Sequence, residues 1–479
     1  MITRNNFSKI KNNLWEIPRN YRLDMQVPAR FYASAKLLEQ ILKDKSLEQL
    51  VNTSTLPGVV KYTIAMPDIH EGYGAPIGGV FATNLKEGVI SPGAVGYDIN
   101  CGVKLLRSQL KINEVKDRIT GLATSIFDSV PSGVGKGGKF KSSRQEMDEI
   151  LTLGLDFLKK KGYAKDSDLV HCESGGKLVG VDPKNISETA KSRAMDQLGT
   201  LGAGNHFIEI QYVSEIYDND IALKLGLDKD VVTVMIHTGS RGLGHQVATD
   251  YIKSFDRLLD KYNIILPDRE LACVPFNSLE GQAYFSAMKG SANFAWANRQ
   301  MITSLIQKIF QEYFSQKGEL VSVYDVAHNM AKVEKHKLPD ETEVLVHRKG
   351  ATRAFPRHHE ELPDDFKEIG QPVLIPGSMG TNSYVLIGED SVMEETFGSS
   401  CHGAGRAMSR HEALRKVHGD QLRQELEAQG IVIRSGSLKG LAEESPIAYK
   451  DVNEVVQIIE EAQIAKKVIK LKPLAVIKG

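Results

Sequence analysis

Three separate apolar stretches of this chain are typical of buried strands, and each delivers one histidine at or near its end. The histidines are His206, His237 and His328, in residues 201–210, 231–237 and 321–328. Functional side chains often lie where strands end and loops begin, so three such histidines predict a shared site. The fold must then bring several strand ends to one cleft.

Two further side chains with metal-binding chemistry lie in the glycine-flanked stretch 95–102. Asp98 and Cys101 are three residues apart there. A carboxylate and a thiolate at this spacing can share an ion, and a thiolate can bridge two, which suits a borderline metal such as zinc or manganese. A lone cysteine among apolar neighbours is more often a small buried hydrophobic residue. Taken with the three histidines, however, the pair predicts a metal site.

Another polar cluster, Asp68, His70 and Glu71, follows the strand predicted over residues 59–66. These side chains suit metal binding or the support of metal ligands. Asp68 suits the stabilisation of a turn equally well. The pattern leaves both interpretations open.

Two loops of small residues have the composition of nucleotide-binding loops. Residues 376–383 follow the apolar residues 373–375, and their small side chains would let backbone amides approach a nucleotide, although a simple hairpin connection is the alternative. His402 lies in residues 399–406, which we expect to precede a helix beginning at Ala407. At a helix N-terminus, His402 is suited to attack a phosphate, or it merely caps the helix.

Two basic stretches are less specific. Residues 132–139 alternate glycine and lysine but lack the order of a phosphate-binding P-loop, so we predict a flexible basic loop. Residues 347–359 interleave basic residues with Gly, Pro and Phe. They are interpreted either as a nucleic-acid contact or as a solvated face.

The totals exclude several classes of protein. With 60 basic and 60 acidic residues, the net charge is zero, which argues against non-specific coating of nucleic acid but allows a local basic groove. The four cysteines are widely spaced, as in a reducing cytoplasm. No apolar run approaches the length of a membrane helix and no signal core is evident, so we expect a cytoplasmic protein without a membrane span.

Alternating helical and strand patterns indicate the α+β class. Helices are predicted over residues 34–50, 144–161, 187–198, 243–261 and 281–316, and further strands over 103–110 and 471–478. The aromatic stripe of residues 281–316 is more typical of core than of a base-stacking platform. We expect one compact domain, residues 1–479, with mixed β-sheets flanked by helices and strand ends converging on a central metal cleft.

Seven motifs together resemble the RtcB family of GTP-dependent RNA-splicing ligases. They are VGYDINCG, GAGNHFIE, VMIHTGSRGLG, AHN, PGSMGTNSY, SSCHGAGR and the terminal AVIKG. The resemblance extends in order from about Met66 to Gly479. A single one of these motifs would be weak, but the ordered set is highly specific.

The resemblance implies two manganese ions per chain and GTP. One ion would lie on Cys101, His206 and His237, and the other on Asp98, Cys101 and His328. His402 would take GMP from GTP. The nucleotide would contact Asn205, His206, Phe207, Ile208, Glu209, His328, Asn329, Pro376, Gly377, Ser378, Met379, Ser383, His402, Gly403, Ala404, Gly405 and Lys478.

The implied reaction joins two RNA ends. A 2′,3′-cyclic phosphate would be opened to a 3′-phosphate, GMP would pass to that phosphate, and the 5′-hydroxyl of the second RNA would displace it. From charge and placement alone, Arg241, Arg406 and Arg410 are candidate anchors for RNA phosphates. The resemblance allows an accessory activator protein, and we expect a monomer.

Two other functions use the same donor residues. A metal-dependent phosphoesterase would explain the Asp, Cys and His side chains but would leave His402 and its loop without a role. A binding module with structural metals would need closed four-coordinate sites, whereas five donors for two ions leave open positions. The natural RNA, a spliced tRNA or a damaged transcript, is left open.

Overall fold

Mixed β-sheets occupy the centre of the molecule and helices cover them. A computed structural model describes residues 2–479, so Met1, the first residue of the predicted domain, lies outside the described residues. The strands are β1 (Ser8–Lys11), β2 (Leu14–Ile17), β3 (Ala29–Tyr32), β4 (Val59–His70), β5 (Ile77–Asn84), β6 (Val89–Ile90), β7 (Gly102–Lys111), β8 (Phe207–Ile216), β9 (Val231–Thr238), β10 (Val274–Pro275), β11 (Val321–Ala327), β12 (Asn329–Lys337), β13 (Glu341–Lys349), β14 (Ala351–Arg353), β15 (Pro372–Ile375), β16 (Ser383–Gly388), β17 (Ser399–Cys401), β18 (Val432–Ser435) and β19 (Ala465–Lys478).

The helices connect these strands and lie outside them. They are α1 (Ala35–Ile41), α2 (Ser46–Thr53), α3 (Ile112–Val115), α4 (Ile119–Ser129), α5 (Arg144–Leu153), α6 (Leu155–Lys160), α7 (Asp166–Val170), α8 (Glu188–Ala194), α9 (Asn219–Lys224), α10 (Arg241–Leu258), α11 (Leu279–Phe314), α12 (Asp364–Lys367), α13 (Val392–Thr396), α14 (Arg410–Lys416), α15 (Gly419–Ala428), α16 (Leu438–Glu443) and α17 (Val452–Glu461).

The larger sheet has eight strands. Seven run in the order β11-β7-β9-β8-β19-β16-β15, and β18 lies parallel to β19. Every residue of β9 is buried, because this apolar strand is covered on both faces. The strand β19 lies between β8 and β16 and contains the strand predicted over residues 471–478.

The second sheet has seven strands in the order β1-β2-β3-β4-β5-β13-β12. The pairing of β3 with β4 is parallel and its other pairings are antiparallel. Strand β11 of the larger sheet ends at Ala327, and strand β12 of the smaller sheet begins at Asn329. His328 is thus the single residue between β11 of one sheet and β12 of the other. The mixed sheets and surrounding helices confirm the predicted α+β class.

The long helix α11 packs beneath the larger sheet. Its 36 residues begin at the N-cap Ser278, whose side chain accepts a hydrogen bond from the backbone N–H of Gly281. Phe294, Trp296 and Phe310 are fully buried. The aromatic stripe is therefore core, as predicted.

Some sequence predictions were wrong in detail. The helix predicted over residues 34–50 is two helices, α1 and α2, and the one over 144–161 breaks at Gly154, where φ is +54°. The helix expected from Ala407 begins only at Arg410, capped by Ser409. Within residues 2–479, no helix is both long and apolar enough to cross a membrane.

The basic stretch 347–359 does not form a nucleic-acid surface over most of its length. Arg348 is buried and paired through both of its terminal nitrogens with Glu334, at 2.6 and 2.7 Å. Arg353 is also buried and pairs with Glu361 at 2.7 Å. That hypothesis was wrong because composition does not distinguish a basic strand facing solvent from one paired inside the core.

We expect that truncation of Ile302 on α11 will destabilise the fold. Ile302 is fully buried and packs with Ile208 and Ile236 of the larger sheet. Ile302→Ala should lower the free energy of unfolding by about 2–5 kcal/mol, measured by urea denaturation. Leu279→Ala, on the same helix but 88% exposed, should change it by about 0.5 kcal/mol or less. Equal losses in the two variants would contradict this packing.

Candidate active site

The register of the larger sheet brings the predicted donor residues to one edge. Gly102 of β7 lies opposite Thr238 of β9 and opposite Ala327 of β11. His237 lies opposite Phe207, the first residue of β8. Cys101, His206 and His328 each adjoin one of these paired residues. Four candidate metal ligands therefore meet because four strand ends are in register.

Short distances join the donor atoms. Cys101 Sγ lies 3.5 Å from His206 Nε2 and 3.4 Å from His237 Nε2. The Nε2 atoms of His237 and His328 are 3.3 Å apart. His206 Nε2 lies 2.9 Å from Asp98 Oδ2. The structure thus brings all five predicted donors together.

The donor atoms form two close groups that share Cys101. One group is Cys101, His237 and His328, and the other is Asp98, Cys101 and His206. These groups differ from the two sets that the resemblance implies, in which His206 accompanies His237 and Asp98 accompanies His328. Cys101 is common to both groups in either arrangement.

Burial controls the protonation of this cluster. It lowers the pKa of His237 and of His328 well below the ordinary value. Burial would raise the pKa of Asp98, but the hydrogen bond and charge of His206, with His245 and Arg241 nearby, hold it below its usual range. Neutral imidazole and ionised carboxylate are the forms that bind metal.

The Nε2 atoms of the three histidines face the same space. His206 Nδ1 lies 3.1 Å from the carbonyl oxygen of Leu201, so that nitrogen can donate while Nε2 faces the cluster. Nδ1 of His237 and Nδ1 of His328 are buried without a hydrogen-bond partner among residues 2–479. Three imidazoles, one thiol and one carboxylate that converge on one space are a donor set that fits a divalent metal.

His402 lies on the other side of His328, with ring centroids 4.9 Å apart. Its Nδ1 is 2.6 Å from Asp68 Oδ2, which also accepts the backbone N–H of His402 at 3.0 Å. Asp68 is fully buried. The carboxylate therefore fixes the ring with Nδ1–H toward Asp68 and the Nε2 lone pair toward the pocket.

The backbone at His402 is not a helix N-terminus, so both that expectation and the capping alternative were wrong. Cys401 ends β17, which pairs with β14. Gly405 then has φ +73° and lies against Asp68, where a Cβ would be 2.2 Å from the Asp68 carbonyl oxygen. Glycine is required at this position because the two backbones approach so closely.

A cavity of ≈ 300 Å³ lies between the donor cluster and His402. Most of the predicted site residues line it: Asp98, Cys101, Asn205, Phe207, His237, His328, Asn329, Pro376, Gly377, Ser378, Met379, His402, Gly403, Ala404, Gly405, Arg406, Arg410 and Lys478. A pocket of this volume suits a small-molecule substrate.

The remaining predicted residues lie just behind the lining. His206 places its Nε2 atom in the donor cluster. The Oγ atom of Ser383 accepts hydrogen bonds from the side chain of Gln211 and from the backbone N–H of Gly377, so Ser383 supports the 376–379 loop. Ile208 is fully buried in the apolar core, so its side chain cannot contact a nucleotide in this pocket. Burial raises the pKa of Glu209 to about 8.

The three candidate RNA anchors differ in their surroundings. Arg241 begins α10 with φ +55°, and its charge acts on Asp98 and Cys101. Arg406 and Arg410 both pair with the buried carboxylate of Glu444, at 3.2 and 3.1 Å. Glu444 thus holds both guanidinium groups at the pocket wall and compensates part of their charge.

Sequence reasoning missed several lining residues. They are Tyr73, Ile77, Gly96, Tyr97, Lys349, Gly350, Glu444 and Tyr449, whereas His70, noted in the sequence as part of a polar cluster, also lines the cavity. Lys349 donates to the carbonyl oxygens of Ala75 and Gly93, both at 3.0 Å, and so ties two of these loops together. Asp68 was noticed only as a turn or metal residue. No local pattern marks Glu444 or Tyr449, because their role arises only from tertiary packing.

Comparison with known proteins gives a consistent result. The family model described as tRNA-splicing ligase RtcB matches residues 49–479. A protein named tRNA-splicing ligase RtcB from Thermococcus kodakarensis is 52% identical over 100% of this chain and 99% of its own length. The protein of the same name from Archaeoglobus fulgidus is 50% identical over 98% of this chain and 98% of its own length. That from Methanococcus maripaludis is 47% identical over 98% of this chain and 99% of its own length. The chain therefore belongs to the RtcB family of tRNA-splicing ligases.

Proposed function

We propose that this protein is an RNA ligase of tRNA splicing that joins a 2′,3′-cyclic phosphate or 3′-phosphate end to a 5′-hydroxyl end, with GTP as co-substrate. The observation that carries this proposal is the His402–Asp68 pair, which faces the same cavity as the Asp98, Cys101 and histidine donors. Family membership supports RNA ligation in tRNA splicing. Repair of broken RNA would use the same chemistry.

His402 is the proposed nucleophile. Asp68 accepts the Nδ1–H bond, so Nε2 carries the lone pair and points into the cavity. Nε2 attacks the α-phosphorus of GTP, the new N–P bond forms as the bond to the β-phosphate oxygen breaks, and pyrophosphate leaves. The positive charge that develops on the ring is stabilised by the buried Asp68 carboxylate.

The donor cluster would hold two manganese ions on Asp98, Cys101, His206, His237 and His328. When bound, divalent ions supply positive charge that neutralises phosphate oxygens and helps to align attacking and leaving groups. The residues themselves bring buried, neutral imidazoles and a carboxylate to one place, and the surrounding apolar strands exclude water.

The walls of the cavity would bind the guanosine and its phosphates. Gly377, Ser378 and residues 403–405 bring small side chains to the cavity wall, so a nucleotide can approach the backbone there. Lys478 Nζ is held at 2.7 Å by the carbonyl oxygen of Gly204 and lines the same space. Glu209, Asn205 and Asn329 would complete the polar contacts, with Ser383 supporting the loop.

The RNA reaction would follow in three steps. Water opens the cyclic phosphate to a 3′-phosphate, whose oxygen then attacks the phosphorus of the His402-bound GMP and displaces the imidazole. The 5′-hydroxyl oxygen of the second RNA attacks the activated 3′-phosphorus, and GMP leaves. Arg241, Arg406 and Arg410 lie where they could anchor RNA phosphates around these steps.

We also propose that residues 1–479 act as one catalytic domain and as a monomer. The matching relatives are aligned over nearly their full length, which supports one functional unit. The four free, buried cysteines suit a reducing cytoplasm. The family resemblance also allows an accessory activator protein.

The phosphoesterase is the second candidate. It uses the metal donors but gives no role to the Asp68-oriented His402, which is why RNA ligation is preferred. It predicts phosphate release from RNA ends without any nucleotide.

We expect His402→Ala to abolish covalent labelling by GTP. The protein is incubated with manganese and GTP labelled at the α-phosphate, denatured, and assayed for retained label that is acid-labile and alkali-stable. The wild-type protein should retain label and the variant should retain none. Among residues 2–479, no other imidazole of the pocket has its Nδ1 hydrogen-bonded to a carboxylate. A variant that still joins RNA at the normal rate would overturn the mechanism.

We expect Asp68→Asn to slow labelling by roughly 10²- to 10⁴-fold. The amide oxygen of asparagine would take the position of Oδ2, because that atom accepts both Nδ1–H and the backbone N–H of His402, but the negative charge that stabilises the developing imidazolium would be lost. Single-turnover labelling gives the rate, and manganese binding should be unchanged. Asp256→Asn, which removes only a surface pair with Arg269, is the matched control. Equal rates for Asp68→Asn and wild type would show that the charge of this carboxylate does not assist the attack of His402.

We expect that removal of metal by a chelator will abolish labelling and RNA joining while the fold persists. The larger sheet and α11 are held by apolar packing that does not involve the donors. Circular dichroism and the thermal midpoint report the fold, and re-added manganese should restore activity. Unfolding on chelation would instead favour a module with structural metals.

A further inference from the structure

A fully buried arginine lies directly behind the donor cluster. Arg299 is on α11, with a side chain that is 0% exposed. Its Nε donates to Asp325 Oδ1 at 2.8 Å, and its Nη2 donates to Asn100 Oδ1 at 2.9 Å. Its Nη1 donates to two backbone carbonyls, those of Asn100 at 2.9 Å and Thr238 at 2.8 Å. Four of the five N–H donors of this guanidinium are thus engaged.

Each of these acceptors belongs to a segment that carries a candidate metal ligand. Asn100 directly precedes Cys101, and Thr238 directly follows His237. Asp325 lies on β11, three residues before His328. One rigid, planar group therefore connects the three segments that present the thiol and two of the imidazoles.

The backbone just before Cys101 adopts an unfavourable conformation that such a contact stabilises. Asn100 has φ +50°, a left-handed conformation that costs energy for a non-glycine residue. Its side chain is held from both sides: Oδ1 accepts from Arg299, and Nδ2 donates to the carbonyl oxygen of Ala292 on α11 at 2.7 Å. The helix thus holds the Cys101 loop in a conformation that the loop would not adopt alone.

We propose that Arg299 is a positioning residue for the metal centre, setting the relative placement of Cys101, His237 and His328 through three hydrogen-bonded segments. It contacts no substrate and ligates no metal. Arg299 can have this role only if metal ions bind these donors, so the inference rests on the proposed function. If Arg299 served only as a core ion pair with Asp325, one of the four hydrogen bonds of its guanidinium group would be sufficient.

The test measures metal binding by the full-length protein directly. Manganese affinity is determined by titration with detection of free Mn²⁺ by electron paramagnetic resonance. Cobalt substitution reports Cys101 through its thiolate-to-cobalt charge-transfer band. Arg299→Lys keeps the buried charge but cannot bridge three segments, so we expect affinity to fall at least about tenfold and the cobalt band to weaken.

Arg348→Lys is the matched control. Arg348 is also buried and paired with a carboxylate, Glu334, but its side chain bonds to none of the three residues that Arg299 holds, Asn100, Thr238 and Asp325. Its replacement should lower the thermal midpoint about as much as Arg299→Lys while leaving manganese affinity and the cobalt band unchanged. Equal losses of affinity in both variants would show a general stability effect and overturn the proposal.

A second variant covers the case in which Arg299→Lys does not fold. Asn100→Gly keeps the left-handed backbone, which glycine adopts freely, and removes only the side-chain acceptor of Arg299 Nη2 and the bond to Ala292. We expect weaker manganese binding and a weaker cobalt band in a folded protein. If Asn100→Gly or folded Arg299→Lys binds manganese as tightly as the wild-type protein does, the role of Arg299 is overturned and the proposed function is not affected. If the wild-type protein does not bind manganese, both the proposed function and the role of Arg299 are overturned.

Discussion

The antiparallel register of β11, β7, β9 and β8 is the constraint on which the whole site depends. Gly102 lies opposite both Thr238 and Ala327, and the ladder continues beyond the strands, because His328 N–H donates to the carbonyl oxygen of Cys101 at 2.9 Å. Side chains alternate faces along a strand, so a slip of one residue would turn His237 away from Cys101. The apolar character of these strands is therefore a condition for the chemistry, since burial on both faces fixes the register.

Burial also determines which form each donor takes. The same apolar strands that fix the register keep His237 and His328 neutral and raise the pKa of the Cys101 thiol, by burial and by the nearby Asp98. A positive ion reverses the preference of the thiol, because thiolate is the form that binds metal. Desolvation thus keeps the imidazoles of His237 and His328 neutral, which is the form of histidine that binds a metal ion.

The sequence allowed the donor set to be predicted because each donor lies beside a strand whose apolar run is visible locally. Asp68 and His402 are 334 residues apart, so their hydrogen bond could not be inferred from either segment. Glu444 is equally invisible, since its role depends on two arginines brought to it by packing. The basic stretch 347–359 was misread for a related reason: the carboxylates that pair with its arginines lie elsewhere in the chain, at Glu334 and Glu361.

The two halves of the site come from different sheets, and His328 is the point where they join. The candidate metal donors lie at the edge of the larger sheet, whereas Asp68 lies on β4 of the smaller one. Immediately after His328, the Asn329 side chain accepts the backbone N–H of Gly350 at 2.8 Å, and the His328 carbonyl accepts that of Ala351 at 3.1 Å. These bonds set the distance between the sheets at the position where His328 and His402 face each other. The fold itself thus places the His402–Asp68 pair next to the candidate metal donors.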